Sequence, residues 1–195
     1  MEHGTGVTQR VTFDSPIGQL GLVVTPNGLR QVLLPRTARR SSANAAPAAT
    51  ANAAPTATAN AAMANAPATT PRIADAVGQV LAYLRGERRE FELPLDLTGV
   101  GTHMRPVLDE LCARAPYGKV ITYGELASWS GCPGGAREVG QIMARNPIPL
   151  VVPCHRVVAA DGLGGYGGGL ALKRRLLRLE GALAEQLSLI GDYQE

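Results

Sequence analysis

Residues 43–66 read ANAAPAAT, ANAAPTAT, ANAAMANA, an eight-residue repeat with no charge and almost no side-chain bulk. The period is far shorter than that of a solenoid unit. Such a segment cannot bury enough surface to offset the entropy of ordering it. We therefore expect a flexible surface loop over about 41–71; a binding role for the repeat is the rival reading. The core of this 195-residue chain must then come from the stretches on either side, which suffice for one or two compact domains.

Before the repeat, VTQRVTFDSPIGQLGLVVTPNGLRQVLL (7–34) alternates apolar runs with turn signals at Ser15-Pro16-Ile17-Gly18 and Pro26-Asn27-Gly28. This predicts a β-meander. After it, Ile73, Ala76, Val77, Val80, Leu81 and Leu84 share one helical face, and Gly86 ends the run. FELPLDLTG reads as a strand leading to a linker near Thr98-Gly99. This first part carries no obvious reactive cluster and reads as scaffold.

From Gly101 the pattern turns helical. MRPVLDELCARAP is one short helix, stopped at Pro116. In TYGELASWSG, Thr122 is an N-cap with Glu125 at capping-box spacing. After the turn GCPGG, AREVGQIMARN forms another helix with Val139, Ile142 and Met143 inward. Two short helices joined by a Gly-containing turn fit a helix-turn-helix, although many helical hairpins share that pattern.

The reactive chemistry lies in IPLVVPCHRVV, which reads as a buried strand. A cysteine in apolar surroundings is usually inert. Here Pro147, Pro149 and Pro153 restrict the backbone around Cys154. His155 supplies a base beside the thiol, and Arg156 a positive charge that favours the thiolate. DGLGGYGGGL follows, a loop whose glycines let a ligand approach the backbone. LALKRRLLRLEG is then a helix carrying Glu180 near its end. No His/Cys pair has metal-ligand spacing, so no metal and no cofactor is expected; Cys112 and Cys132 read as structural.

Composition bounds the compartment. Hydrophobic residues make up 45% of the chain, as in soluble globular proteins. No apolar run approaches the roughly 18 residues that span a membrane, and MEHGTGVTQR lacks a signal-peptide layout. A cytosolic protein with reduced thiols is expected. Its net charge is +3, nearly all the positive charge being arginine. That suits a nucleic-acid partner without requiring one; solvated surface charge is the simpler reading.

Residues 101–181 resemble the active-site domain of the O6-alkylguanine-DNA alkyltransferases, through PYGKVITYGELA, GGAREVG, NPIPLVVPCHRVV, the glycine loop and LEG in one order and spacing. SPIGQLGLVVTPNGL resembles the family's N-terminal domain more loosely, and the repeat matches nothing in it. The resemblance implies single-turnover repair of O6-alkylguanine, and of O4-methylthymine, with Cys154 as the alkyl acceptor. It implies that His155 removes the thiol proton through a water and that Glu180 fixes the His155 tautomer. Tyr123 would crowd the phosphate and donate to the departing guanine, with the nucleotide extruded from the duplex. Arg137 would fill the gap in the stack. Asn146 would tie the helix-turn-helix to the active-site loop, and Tyr166 with Gly167 would form the pocket wall. Arg156 would also lie at the substrate side. The implied partner is double-stranded DNA carrying O6-alkylguanine, entered through the minor groove by a monomer, at the nucleoid and away from membranes.

The chain departs from the family pattern at three places. Met104 stands where an aromatic residue is usual, Asp109 where a tryptophan is usual, and Gly167 where a serine often follows the pocket tyrosine. The alkyltransferase-like proteins, which bind the lesion without repairing it, carry tryptophan at the acceptor position; Cys154 separates this chain from them. That non-enzymatic reading is the alternative, and a thiol hydrolase using Cys154 and His155 is a second. The hydrolase reading gives Tyr123 and Arg137 no role.

The expected fold is α/β. Residues 1–98 form a small β-sheet domain with a helix, 99–183 a mainly helical domain with the helix-turn-helix, and 184–195 a tail.

Overall fold

The computed structural model describes residues 7–35 and 71–182. The repeat and the tail lie outside these described residues.

Strands β1 (Gln9–Ser15), β2 (Gly18–Thr25) and β3 (Gly28–Leu33) form the expected antiparallel meander in the order β1-β2-β3. Its turns fall where the Pro and Gly signals put them. Alternation along β2 sends Leu20, Leu22 and Val24 into the core; β3 adds Leu29 and Val32, three residues apart, where the β2–β3 register shifts between Val23 and Val24. Gly28 has a φ of +139°, and a Cβ there would sit 2.1 Å from the Pro94 carbonyl oxygen, so only glycine fits.

FELPLDLTG is not a regular strand. Pro94 has no N–H to give a ladder, and pairing shrinks to a single bridge between Leu95 and Leu29. Hydrogen bonds Leu29 N to Pro94 O (2.8 Å) and Asp96 N to Leu29 O (2.9 Å) hold it against β3. Asp96 is anchored there by the Thr25 hydroxyl at 2.6 Å.

Helix α1 (Pro71–Leu84) presents the apolar stripe read from the sequence. Ile73, Ala76, Val77, Val80 and Leu84 are buried, and so is Tyr83 on the same side. Helix α2 (Arg105–Arg114) buries Val107, Leu108 and Leu111. Met104 is buried beside them, while Asp109 faces solvent and pairs with Arg105 at 2.9 Å. The two departures thus differ: one takes a core place, the other a surface ion pair. Cys112 is exposed on α2, not packed in an apolar setting as its sequence context suggests.

Helices α3 (Tyr123–Ser130) and α4 (Gly135–Ala144) form the helix-turn-helix. Thr122 and Glu125 make the capping box reciprocally. Gly131 ends α3 in the left-handed conformation. Val139, Ile142 and Met143 of α4 are buried as expected. Helix α5 (Leu170–Leu179) closes the described fold. One continuous cluster of buried residues runs from the sheet through α1 to the helices that follow. The expected α/β class is the one observed.

Candidate active site

The stretch around Cys154 is a sequence of tight turns, not a strand. Leu150, fully buried, adopts a φ of +77°, an uncommon conformation for a residue with a side chain. Its turn is closed by Val152 N donating to Ile148 O at 2.9 Å. Asn146 braces the turn, donating from Nδ2 to Val152 O (2.8 Å) and accepting from Ile148 N (3.0 Å). Pro153 then sits at φ −82°, ψ 60°, an inverse γ-turn, with Cys154 N donating to Val152 O at 2.8 Å. Residues Cys154–Arg156 form one 3-10 turn. Strand β5 (Val157–Val158) follows, paired in parallel with β4 (Ile121–Thr122). The prolines fix φ, and Ile148, Val152, Val157 and Val158 are buried without a long ladder. The β4–β5 pair also sets Tyr123, the first residue of α3, beside the segment that follows Cys154.

Cys154 is 5% exposed. Burial pushes its thiol up to about 11, partly offset by the Asn146 amide and the Lys173 cation. His155 is fully buried. Its Nε2 lies 2.9 Å from Glu180 Oε1, and its Nδ1 has no protein partner. Burial holds the imidazole below its ordinary value despite Glu180. Glu180 caps the C-terminus of α5. Burial raises its carboxyl, but hydrogen bonds from His155 and Arg156 outweigh that and hold it down at about 2. An ionised carboxylate only accepts, so His155 Nε2 carries the proton and Nδ1 keeps a free lone pair.

Arg156 does not serve the thiol as the sequence reading supposed. Its guanidinium is buried, donating to Glu180 and, from Nη1, to Ala115 O at 2.6 Å. The cation that favours the thiolate is Lys173, which the sequence reading missed. Lys173 is fully buried although it lies in the basic run LALKRRLLR. Nζ donates to Val157 O (2.6 Å), Gly165 O (3.2 Å) and Leu163 O. It lies 5.9 Å from the centre of the Tyr123 ring. Burial lowers its ammonium to about 8.

The glycine loop closes over this cluster. Tyr123 donates to Gly165 O at 3.2 Å, and a Cβ on Gly164 (φ +65°) would come within 2.7 Å of its ring. The Tyr166 ring meets His155 edge-on at 6.4 Å, and its hydroxyl is buried without a partner. Burial and the Cys154 charge raise both phenols. Gly167 is at the exposed rim, with nothing within 4 Å of the place a Cβ would take. Arg137 stands exposed on the first turn of α4, outside the cluster. The structure thus gathers Cys154, His155, Arg156, Glu180, Asn146, Tyr123 and Tyr166, and leaves Arg137 and Gly167 at the periphery.

A family model described as 6-O-methylguanine DNA methyltransferase, DNA binding domain, matches residues 104–182. A methylated-DNA–protein-cysteine methyltransferase of Methanothermobacter thermautotrophicus is 32% identical over 172 residues, 87% of this chain and 84% of that protein. The chain belongs to the methylated-DNA–protein-cysteine methyltransferase family. A Mycobacterium leprae member is 49% identical over 108 residues, 55% of this chain, and the match spans 64% of that relative's length. Mycobacterium tuberculosis OGT, solved in complex with DNA, superposes with a TM-score of 0.67 at 36% identity, covering 89% of this chain and 92% of that one.

Within this methyltransferase family frame, the described part of the chain holds no group of His, Cys, Asp and Glu that could bind a metal. No described helix is long and apolar enough to cross a membrane.

Proposed function

We propose that the protein repairs alkylated DNA by direct reversal, moving the alkyl group of O6-alkylguanine, or of O4-methylthymine, irreversibly to Cys154. The observation that carries this reading is the buried Cys154–His155–Glu180 arrangement, with an ionised carboxylate behind the imidazole and a free Nδ1. At neutral pH a thiol held near 11 is ionised in only about one molecule in 10^4. The thiol therefore needs a base, and a neutral imidazole is one.

His155 Nδ1 takes the Cys154 proton through a water. The thiolate attacks the alkyl carbon from the side opposite O6. The C–S bond forms as the C–O6 bond breaks, and its electrons stay on the guanine. The Tyr123 hydroxyl turns from Gly165 O to donate a hydrogen bond to the departing base, and the proton that His155 took from the thiol passes through water to the guanine anion, leaving the imidazole neutral again. Lys173 and Asn146 favour the thiolate before attack. The thioether meets no second nucleophile, so each molecule acts once.

Residues 99–183 supply this chemistry, with 1–98 as the platform. The lesion is extruded from the duplex. The helix-turn-helix enters the minor groove, Arg137 fills the vacated stack, and Tyr166 and Gly167 wall the pocket. Lesion detection through the minor groove needs little base-edge code. The protein acts as a monomer on DNA in the cytoplasm, at the nucleoid. The test is stoichiometry: with excess methylated duplex, repaired guanine should equal protein, mole for mole. Continued turnover, or binding without repair, would overturn the proposal.

A further inference from the structure

A side chain from the first part of the chain reaches into the chemistry. Tyr83, on α1, is fully buried. Its hydroxyl lies 2.5 Å from Glu180 Oε1 and 3.2 Å from His155 Nε2. Helix α1 precedes the matched family model at 104–182 altogether. The phenol is held by ring contacts with Phe91 (centroids 5.0 Å) and, edge-on, Tyr117 (6.2 Å).

We propose that Tyr83 is a positioning residue for proton removal, setting the basicity of His155 by sharing the negative charge of Glu180. This rests on the alkyl-transfer reading above. Burial and the neighbouring Glu180 keep the phenol protonated, so it donates to Oε1. The same oxygen accepts from His155 Nε2 and Arg156 Nη2. Each donor that takes part of the carboxylate charge leaves less to stabilise an imidazolium. Tyr83 thus adds to the burial that already holds His155 neutral, the state a base must have.

The charged and titratable groups facing the imidazole are Glu180 and Lys173 from the α5 side, Arg156 and Cys154 from its own turn, Tyr166 from the glycine loop, and Tyr83 from α1. Tyr117 also faces Glu180. Of these, Lys173 and Arg156 already disfavour the imidazolium. Tyr83 adds to them without adding charge, and it comes from the part of the chain that the sequence reads as mere platform.

The experiment is the single-turnover transfer rate against pH, on methylated duplex and on free O6-benzylguanine, with thermal midpoints alongside. In wild type the rate should fall on acidification as His155 protonates. Tyr83→Phe keeps the ring and removes the donor. Its acid limb should move up by about one pH unit, equally on both substrates. Replacing Tyr83 by 3,5-difluorotyrosine strengthens the donor within nearly the same shape, and the limb should move down; this arm also decides the matter if Tyr83→Phe does not fold. Phe91→Leu loosens the same packing and should leave the limb in place. An unmoved limb in the fluorinated protein, or an equal shift in Phe91→Leu, would overturn the proposal. A wild-type protein that transfers nothing would instead overturn the alkyl-transfer reading itself.

Discussion

Arg156 grips Glu180, donating from Nε and Nη2 to both carboxylate oxygens at 2.8–3.2 Å in a buried setting. The contact joins the 3-10 turn Cys154–Arg156 to the C-terminal end of α5. Removing one partner of such a pair strands a buried charge, which costs about 3–5 kcal/mol. We expect Arg156→Ala to lose stability on that scale in urea titrations. A loss under about 1 kcal/mol, typical of an exposed pair, would contradict the buried-clamp description.

The same carboxylate makes stability depend on acid. Glu180 titrates at about 2 in the fold against an ordinary value of 4.5. Its contribution is therefore complete above about pH 4.5 and is lost as pH falls toward 2. Unfolding free energy measured across that window should fall less steeply in Glu180→Gln than in wild type. Equal slopes would show that other carboxylates carry the acid sensitivity.

Much of this arrangement was legible in the residues, and what was not has physical reasons. Thr122 and Glu125 read as a capping box because the interaction is local. The α1 stripe and the meander turns likewise depend on spacing alone. Lys173 was hidden because a basic run reads as solvated, yet its spacing from the buried Leu176 and Leu177 places it on the inner face. Tyr83 was hidden because its partners lie 72 and 97 residues away. The strand read at Cys154 failed because β-branched burial and proline-fixed turns leave the same apolar trace in sequence. FELPLDLTG failed at Pro94, where the missing N–H left only one bridge.

Lys173 satisfies three backbone carbonyls and favours the thiolate. Lys173→Met takes that donor from Val157 O and Leu163 O, while Gly165 O keeps the Tyr123 hydroxyl, at about 1–3 kcal/mol for a buried group left unpaired, and it removes the cation. A lower thermal midpoint and slower alkylation of Cys154 by iodoacetamide at fixed pH are both expected. Unchanged alkylation would remove Lys173 from the account of thiol reactivity.

Gly167 has open space where a side chain would go and no left-handed φ. Gly167→Ser should leave stability within about 0.5 kcal/mol of wild type. It should also raise the transfer rate by offering a hydroxyl at the pocket rim. A stability loss well beyond that range would show that the rim is tighter than the structure indicates.

Arg137 lies exposed and apart from the Cys154 cluster. Extrusion costs a few kcal/mol of unstacking, so Arg137→Ala should slow transfer from methylated duplex by more than about tenfold. Transfer from free O6-benzylguanine, which needs no extrusion, should be nearly unchanged. Equal slowing on both substrates would assign Arg137 to folding.

The central claim is that Cys154 itself receives the alkyl group. The direct measurement is peptide mass mapping after reaction with duplex DNA carrying a trideuteromethyl group at O6 of one guanine. The account predicts the label on the peptide containing Cys154, with Cys112 and Cys132 unlabelled and the DNA base restored to guanine. Label on either other cysteine, or a restored base with no label on the protein, would contradict it.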